Sequence, residues 1–291
     1  MPAARKGLIA VDFVHDWIAK SPYAVALGVE LESLSEASAQ LRLPYRDENS
    51  NPGKALHGGC AASLAMIGAH AVARATMGAD SAPWHTASLQ VNYLAAAKDE
   101  AVTAEARLLR KGKAMCFAEV DVATEDGKPI AHAITMVRGR FGAEPPALAA
   151  SAGDAGESEP GPMGPLIGRV PFIGNRGIVV EHMTGGRSRL VMPLRDGNRN
   201  EDGGVHEGAV LALLDTTGAM AAWAETGPGP YRASTPSIQA QILAPPPTDE
   251  LVAYGRMVQR DRELLWADVE VADRSDGRLW ARGTVVYRIL T

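Results

Sequence analysis

Cysteine is scarce. The 291-residue chain has two, Cys60 and Cys116, too few for a disulfide framework. Positive charge is not in excess: 29 Lys and Arg stand against 34 Asp and Glu, for a net charge of −5. No basic block of the kind that tracks nucleic acid is present. The longest apolar runs are short or interrupted, so no bilayer span is expected. Between Met1 and Trp17, Asp12, His15 and Asp16 break any apolar core that a secretory signal would need. A cytoplasmic protein with no membrane or nucleic-acid partner is the expectation. His70, His85 and His132 do not fall at metal-ligand spacing, so neither a metal nor another cofactor is expected. Aromatic residues make up only 5%, which points to a pocket of Ala, Met and Leu open to medium or aryl groups.

What is present is organised around Asn51–Met77, NPGKALHGGCAASLAMIGAHAVARATM. Asn51, Pro52 and Gly53 are turn formers. Gly58 and Gly59 let the backbone approach a neighbour closely. A proline-free run of Ala, Leu, Met and Ile follows, which favours helix. Few of its side chains are charged, so the helix should be buried on most sides. Its N-terminus presents unpaired N–H groups and the positive end of a dipole, a good place to hold an oxygen gaining negative charge.

The stretch occurs twice. NRNEDGGVHEGAVLALLDTTGAMAAWAETG begins at Asn198. His206 follows His57 by 149 residues (206 minus 57), and Asn200 follows Asn51 by the same distance. That offset pairs Pro22 with Pro171, Gly28 with Gly177, Arg46 with Arg195, Thr86 with Thr235 and Gln90 with Gln239. A gapless register of this extent marks a tandem duplication of one domain-sized unit.

Within a unit the order of elements is regular. Phe13–Tyr23 reads as a short amphipathic helix. Strands are expected near Val29–Leu34 and Ala37–Leu43, then the buried helix. Four alternating segments follow, His85–Leu94, Ala101–Leu109, Met115–Ala123 and Ile130–Arg138. An antiparallel sheet wrapped round one long helix satisfies that order, an α+β class. The domains are expected at residues 1–141 and 165–291. Residues 142–164, rich in Ala, Gly, Pro and Ser, read as a linker.

With these features together, the chain resembles the tandem hotdog-fold acyl-CoA thioesterases, most of all the phenylacetate-degradation type. The resemblance rests on the Asn six residues before the His, the His-Gly-Gly, the helix of small residues, and Gln90–Tyr93 on the next strand. It implies an intrachain pseudo-dimer of two hotdog domains acting on acyl-CoA, with coenzyme A as part of the substrate, and further association into a homo-oligomer. In that family an Asn and a glycine N–H of one unit polarise the thioester carbonyl. An acidic residue nine positions after the His of the other unit activates water or attacks directly, assisted by a Ser or Thr on the next strand. Carried over, Asn51, His57 and Gly58 form the carbonyl-binding side, and Asp215 and Thr235 the hydrolytic side.

The second set departs from the pattern. Met66 stands nine after His57, Thr86 is retained, and the second glycine pair reads His206–Glu207–Gly208. One complete composite site and one degenerate site around Asn200, His206, Met66 and Thr86 are therefore expected. Helix geometry favours the crossing. Nine residues is about two and a half turns, so Asp215 points away from His206 and does not readily serve its own loop, but can serve one brought by a neighbouring unit.

Structural alternatives stand beside these roles. Asp215 could cap a loop, although an unpaired buried carboxylate is costly. Asn51 could be a turn residue, and His57 could hold its own loop by backbone hydrogen bonds. Cys60 reads as packing. Arg110, Lys111 and Lys113 could meet coenzyme A phosphates or form a solvated hairpin tip. A catalytically silent acyl-CoA-binding hotdog is the competing function. A hotdog hydratase is disfavoured because its Asp-to-His spacing is about half the distance from Asp47 to His57 here.

Overall fold

The computed structural model describes residues 3–140, 148–150, 156–245 and 247–291, with side chains from Asp12 onward. The first unit begins with helices α1 (Ala3–Lys20) and α2 (Pro22–Leu27). The single helix expected over Phe13–Tyr23 is thus two. Ser21 is the N-cap and Pro22 the first residue of α2; proline has no N–H to continue α1 but fits a helix start. Strands β1 (Glu30–Leu34) and β2 (Ser38–Leu43) lead to helix α3 (Gly58–Met77), then β3 (His85–Tyr93), β4 (Val102–Lys111), β5 (Met115–Thr124) and β6 (Pro129–Arg138).

The second unit repeats the plan with α4 (Gly164–Ile167), α5 (Pro171–Arg176), β7 (Val179–Thr184), β8 (Arg187–Met192), α6 (Glu207–Thr226), β9 (Arg232–Ile242), β10 (Leu251–Arg260), β11 (Leu264–Asp273) and β12 (Leu279–Leu290). Part of the expected linker, residues 142–147 and 151–155, lies outside the described residues. Of its described part, Ala149 bridges Arg278 and Glu159 bridges His182, so both touch the second unit.

All twelve strands form one sheet in the order β1-β2-β4-β5-β6-β3-β9-β12-β11-β10-β8-β7. The units join edge to edge through β3 and β9, antiparallel, with Gln90 opposite Gln239. These two glutamines are repeat-mates, so a pseudo-two-fold axis passes between them. Pairing the edge strands also removes two exposed edges that would otherwise invite other chains.

Each half-sheet wraps its own helix. In α3, Leu64, Met66, Ile67 and Val72 are fully buried, each contributing about 1.5–3 kcal/mol by leaving water. α3 alone among the described helices is long and apolar enough to cross a membrane, contrary to the expectation that no run would qualify; it is 94% buried inside the protein. Its apolarity therefore serves the core of its half-sheet.

The units also interlock. Tyr23 of the first stacks on His206 of the second at 4.6 Å, and Phe172 of the second stacks on His57 of the first at 4.5 Å. Tyr23 N–H donates to the Arg199 carbonyl, and Phe172 N–H to that of Ser50. Every partner in one clasp is the repeat-mate of a partner in the other.

Candidate active site

Two clefts arise from the pseudo-symmetry, each at the start of one unit's central helix and beside the middle of the other's. His57 ends the loop before α3. Its Nδ1 accepts the Gly59 N–H at 3.0 Å, capping the helix. His206 does the same for Gly208. Burial lowers the His57 imidazole to about 4 and the His206 imidazole to about 3, so both stay neutral acceptors near pH 7. Gly59 packs on the backbone of Ala212, where a Cβ would stand 2.9 Å from its Cα. Only glycine lets the start of α3 come this close to α6.

That approach brings Gly58 and Asp215 together. A Cβ on Gly58 would lie 3.1 Å from Asp215 Oδ2 and 3.5 Å from the Tyr93 ring. Asp215 is 4% exposed. Its Oδ1 accepts the Thr235 hydroxyl at 2.8 Å. Burial lifts its carboxyl from the usual carboxylate range to about 6, with the Thr235 hydrogen bond pulling the other way. Tyr93 donates its hydroxyl to the Gly58 carbonyl at 3.0 Å. The arrangement is a carboxylate poised near neutral pH, steered by a hydroxyl, beside Gly58, the first residue of a helix. It can activate a water next to a polarised carbonyl.

Asn51 sits in the preceding loop, its N–H donating to the Ala55 carbonyl at 2.7 Å. Its side-chain amide makes no hydrogen bond among the described residues. Cys60 and Cys116 are buried, and burial pushes their thiols up to about 12 and about 11. Such thiols are inert. Lys111 donates to the Thr76 carbonyl at the end of α3. Its ammonium is thus engaged in closing the helix, while Arg110 and Lys113 are exposed near the β4–β5 turn.

The other cleft holds a carboxylate after all, supplied from the opposite side. Glu207 stands where the first unit has Gly58, and its Oε2 accepts the Thr86 N–H at 3.0 Å. That same oxygen lies 3.4 Å from His70 Nε2. His70 Nε2 is also 2.8 Å from Thr86 Oγ1. Burial would raise the Glu207 carboxyl, but His70, His85 and Thr86 outweigh it and hold it at about 2. Met66, the repeat-mate of Asp215, is 1% exposed in the same cleft. Asn200 caps its own loop, accepting the Asp202 N–H at 3.0 Å. Sequence reasoning marked Glu207 only as a damaged glycine and left His70 unassigned. The signal was available in the spacing: His70 lies four residues after Met66, the repeat-mate of Asp215, and so on the same helix face.

Residues 46–139 match the family model described as the acyl-CoA thioesterase N-terminal domain. A proposed esterase of Halobacterium salinarum is 36% identical over 102 residues, covering 34% of this chain and 67% of that one. The chain belongs to the acyl-CoA thioesterase family. The fold of this thioesterase is that of whole double-hotdog chains. The tesB protein of Mycobacterium avium subspecies paratuberculosis superposes with a TM-score of 0.67 at 14% identity, over 96% of this chain and 99% of that one. A hot dog fold protein of Alicyclobacillus acidocaldarius gives 0.65 at 18% identity, over 90% and 96%. The thioesterase thus pairs two hotdog units in one chain, as the duplication implied.

Proposed function

We propose that this acyl-CoA thioesterase hydrolyses its substrate at one composite site per chain, built from Gly58 and Asn51 of the first unit and Asp215 and Thr235 of the second. The observation that carries this reading is the Asp215 carboxylate: buried, raised to about 6, held by Thr235 and set against Gly58. The Gly58 N–H and the Asn51 amide polarise the thioester carbonyl. A fixed donor at a developing oxyanion contributes about 3–4 kcal/mol. Ionised Asp215 takes a proton from water as the water oxygen bonds to the carbonyl carbon. The tetrahedral intermediate then expels the coenzyme A thiolate. Thr235 orients the carboxylate, and Tyr93 steadies the Gly58 peptide. His57 shapes the loop from behind, through its cap and its stack on Phe172.

The phenylacetate-degradation type is the subfamily that the motifs favour, with a medium-chain or aryl acyl group as substrate. Association of double-hotdog chains into a larger oligomer belongs to the same proposal. Steady-state hydrolysis of an acyl-CoA panel, with Asp215→Ala as control, is the test. Equal slowness of wild type and variant, with acyl-CoA still bound, would leave a silent acyl-CoA-binding protein instead.

A further inference from the structure

Between Asp215 and Trp223, α6 keeps accessible surface along one side. Ala219 and Met220 retain 6% each and Trp223 retains 9%, whereas Leu213, Leu214, Thr217, Ala221 and Ala222 retain none. Asp215, Ala219 and Trp223 are four residues apart, as are Thr216 and Met220, and such spacing traces a stripe along a helix. A narrow groove therefore leaves the Asp215 carboxylate and follows α6 to Trp223.

The pseudo-symmetry repeats this course in the other cleft. There Met66, His70 and Arg74, the repeat-mates of Asp215, Ala219 and Trp223, line a cavity of about 390 Å³. It also touches Asn200 and His206, whose mates Asn51 and His57 belong to the loop before α3. The two courses differ in lining. Arg74 places a guanidinium where the first has the Trp223 indole, and His70 an imidazole where it has the Ala219 methyl.

The far end of the Asp215 groove is held in place. Trp223 Nε1 donates to the Tyr287 hydroxyl at 3.2 Å, and the indole stacks on Tyr231 with centroids 6.2 Å apart and planes 16° from parallel. Tyr287 stands beside the reacting groups. Between the pairs Ser237–Val286 and Ser234–Arg288 the β9–β12 ladder bulges, so Thr235 and Pro236 face Tyr287 alone. Thr235 is the residue that holds Asp215. Burial, and more weakly the Asp215 charge, push the Tyr287 hydroxyl up to about 12.

Ala219 and Met220 carry no charge, and the one polar atom of Trp223 is taken by Tyr287. The groove thus suits hydrocarbon and offers nothing to the phosphates of coenzyme A. Eight residues of helix span about 12 Å, and helical side chains lean back toward the N-terminus, which shortens the run. We propose that Trp223 is a specificity-determining residue: the acyl group lies along Ala219 and Met220, and the indole, pinned by Tyr287 and Tyr231, stops it at roughly six to eight carbons. This inference rests on hydrolysis at the composite site of Asp215.

The test is the length preference of hydrolysis, read as kcat/KM for acetyl-, hexanoyl- and dodecanoyl-CoA. Wild type should favour hexanoyl-CoA over dodecanoyl-CoA by about tenfold or more. Trp223→Ala opens the end of the groove and should raise the dodecanoyl-to-hexanoyl ratio about tenfold. Tyr287→Phe frees the indole without changing its bulk and should raise that ratio about threefold. Ala219→Leu blocks the groove upstream and should move the preference the other way, lowering hexanoyl-CoA relative to acetyl-CoA about tenfold. The opposite directions keep the test decisive if one variant does not fold. The proposal is overturned if wild type takes dodecanoyl-CoA as well as hexanoyl-CoA, or if the folded variants keep the wild-type length preference. An unchanged preference with Asp215→Ala inactive removes the role of Trp223 alone. A shifted preference with Asp215→Ala as active as wild type retains that role and removes the composite site.

Discussion

Asp215 and Gly58 sit on opposite halves of a duplicated chain, yet the Asp215 carboxylate fills the space that any side chain at position 58 would need, 3.1 Å from the site of its Cβ. Two helices that begin and end in different domains are thereby locked into one chemical unit. The closeness depends on the neighbouring glycine, because Gly59 is what lets α3 rest on Ala212.

Asp215→Asn should therefore separate activity from stability. Loss of the general base should lower kcat by about a thousandfold. The folded chain, meanwhile, should gain stability. A carboxyl raised from its usual range to about 6 keeps a proton that the unfolded chain has already released. Folding stability then falls as pH rises from about 4 to about 6, and the cost stays at about 2–3 kcal/mol above that. Denaturant unfolding at pH 8 should show the variant more stable, and at pH 4 the difference should vanish.

The same group should write the acid limb of the pH profile. Only ionised Asp215 can accept a proton, so kcat/KM should rise with pH through a limb near 6. Thr235→Val removes the hydrogen bond that favours ionisation. The limb should move upward, by about one pH unit, and kcat at its plateau should fall. A limb that stays in place would assign it to another group.

Gly58→Ala should damage catalysis more than folding. The added methyl meets Asp215 Oδ2 at 3.1 Å, which forces a shift of a few tenths of an ångström, while the Tyr93 ring at 3.5 Å is in ordinary contact. Misplacing a reacting group by such amounts costs about tenfold to a hundredfold in kcat. Thermal unfolding should move by only a few degrees. Gly53→Ala, which meets no atom within 4 Å, is the control for kcat, although its φ of +83° costs some stability of its own.

His57 should prove structural. His57→Ala removes the α3 cap and the stack on Phe172, a loss of about 1–2 kcal/mol. His57→Asn restores a capping acceptor and should retain kcat within a few-fold. The histidines also set an acid sensitivity of opposite sign to that of Asp215. With His57 depressed to about 4 and His206 to about 3, the unfolded chain binds protons first as pH falls below about 6.5. Stability from these two groups is full above that pH and is lost on descending toward about 3. The Asn variant should lose its share of that dependence. A collapse of kcat in His57→Asn would instead make this imidazole catalytic.

The sequence by itself determined the duplication, the class of fold, the two buried helices and the residues able to do chemistry. These follow from local periodicity, turn chemistry and an offset held at 149 residues, none of which needs a three-dimensional neighbour. It also determined that Met66 cannot replace Asp215. The break between α1 and α2 was legible as well, in Ser21–Pro22, and was overridden by the apolar spacing of Phe13, Val14, Trp17 and Ile18. Only the tertiary structure decided that Glu207 and His70 meet across the interface, and that Tyr23 and Phe172 each stack on the histidine of the opposite unit. Those facts join residues more than a hundred positions apart. Their separation is set by how closely two helices and two edge strands pack, which no pattern within one segment encodes.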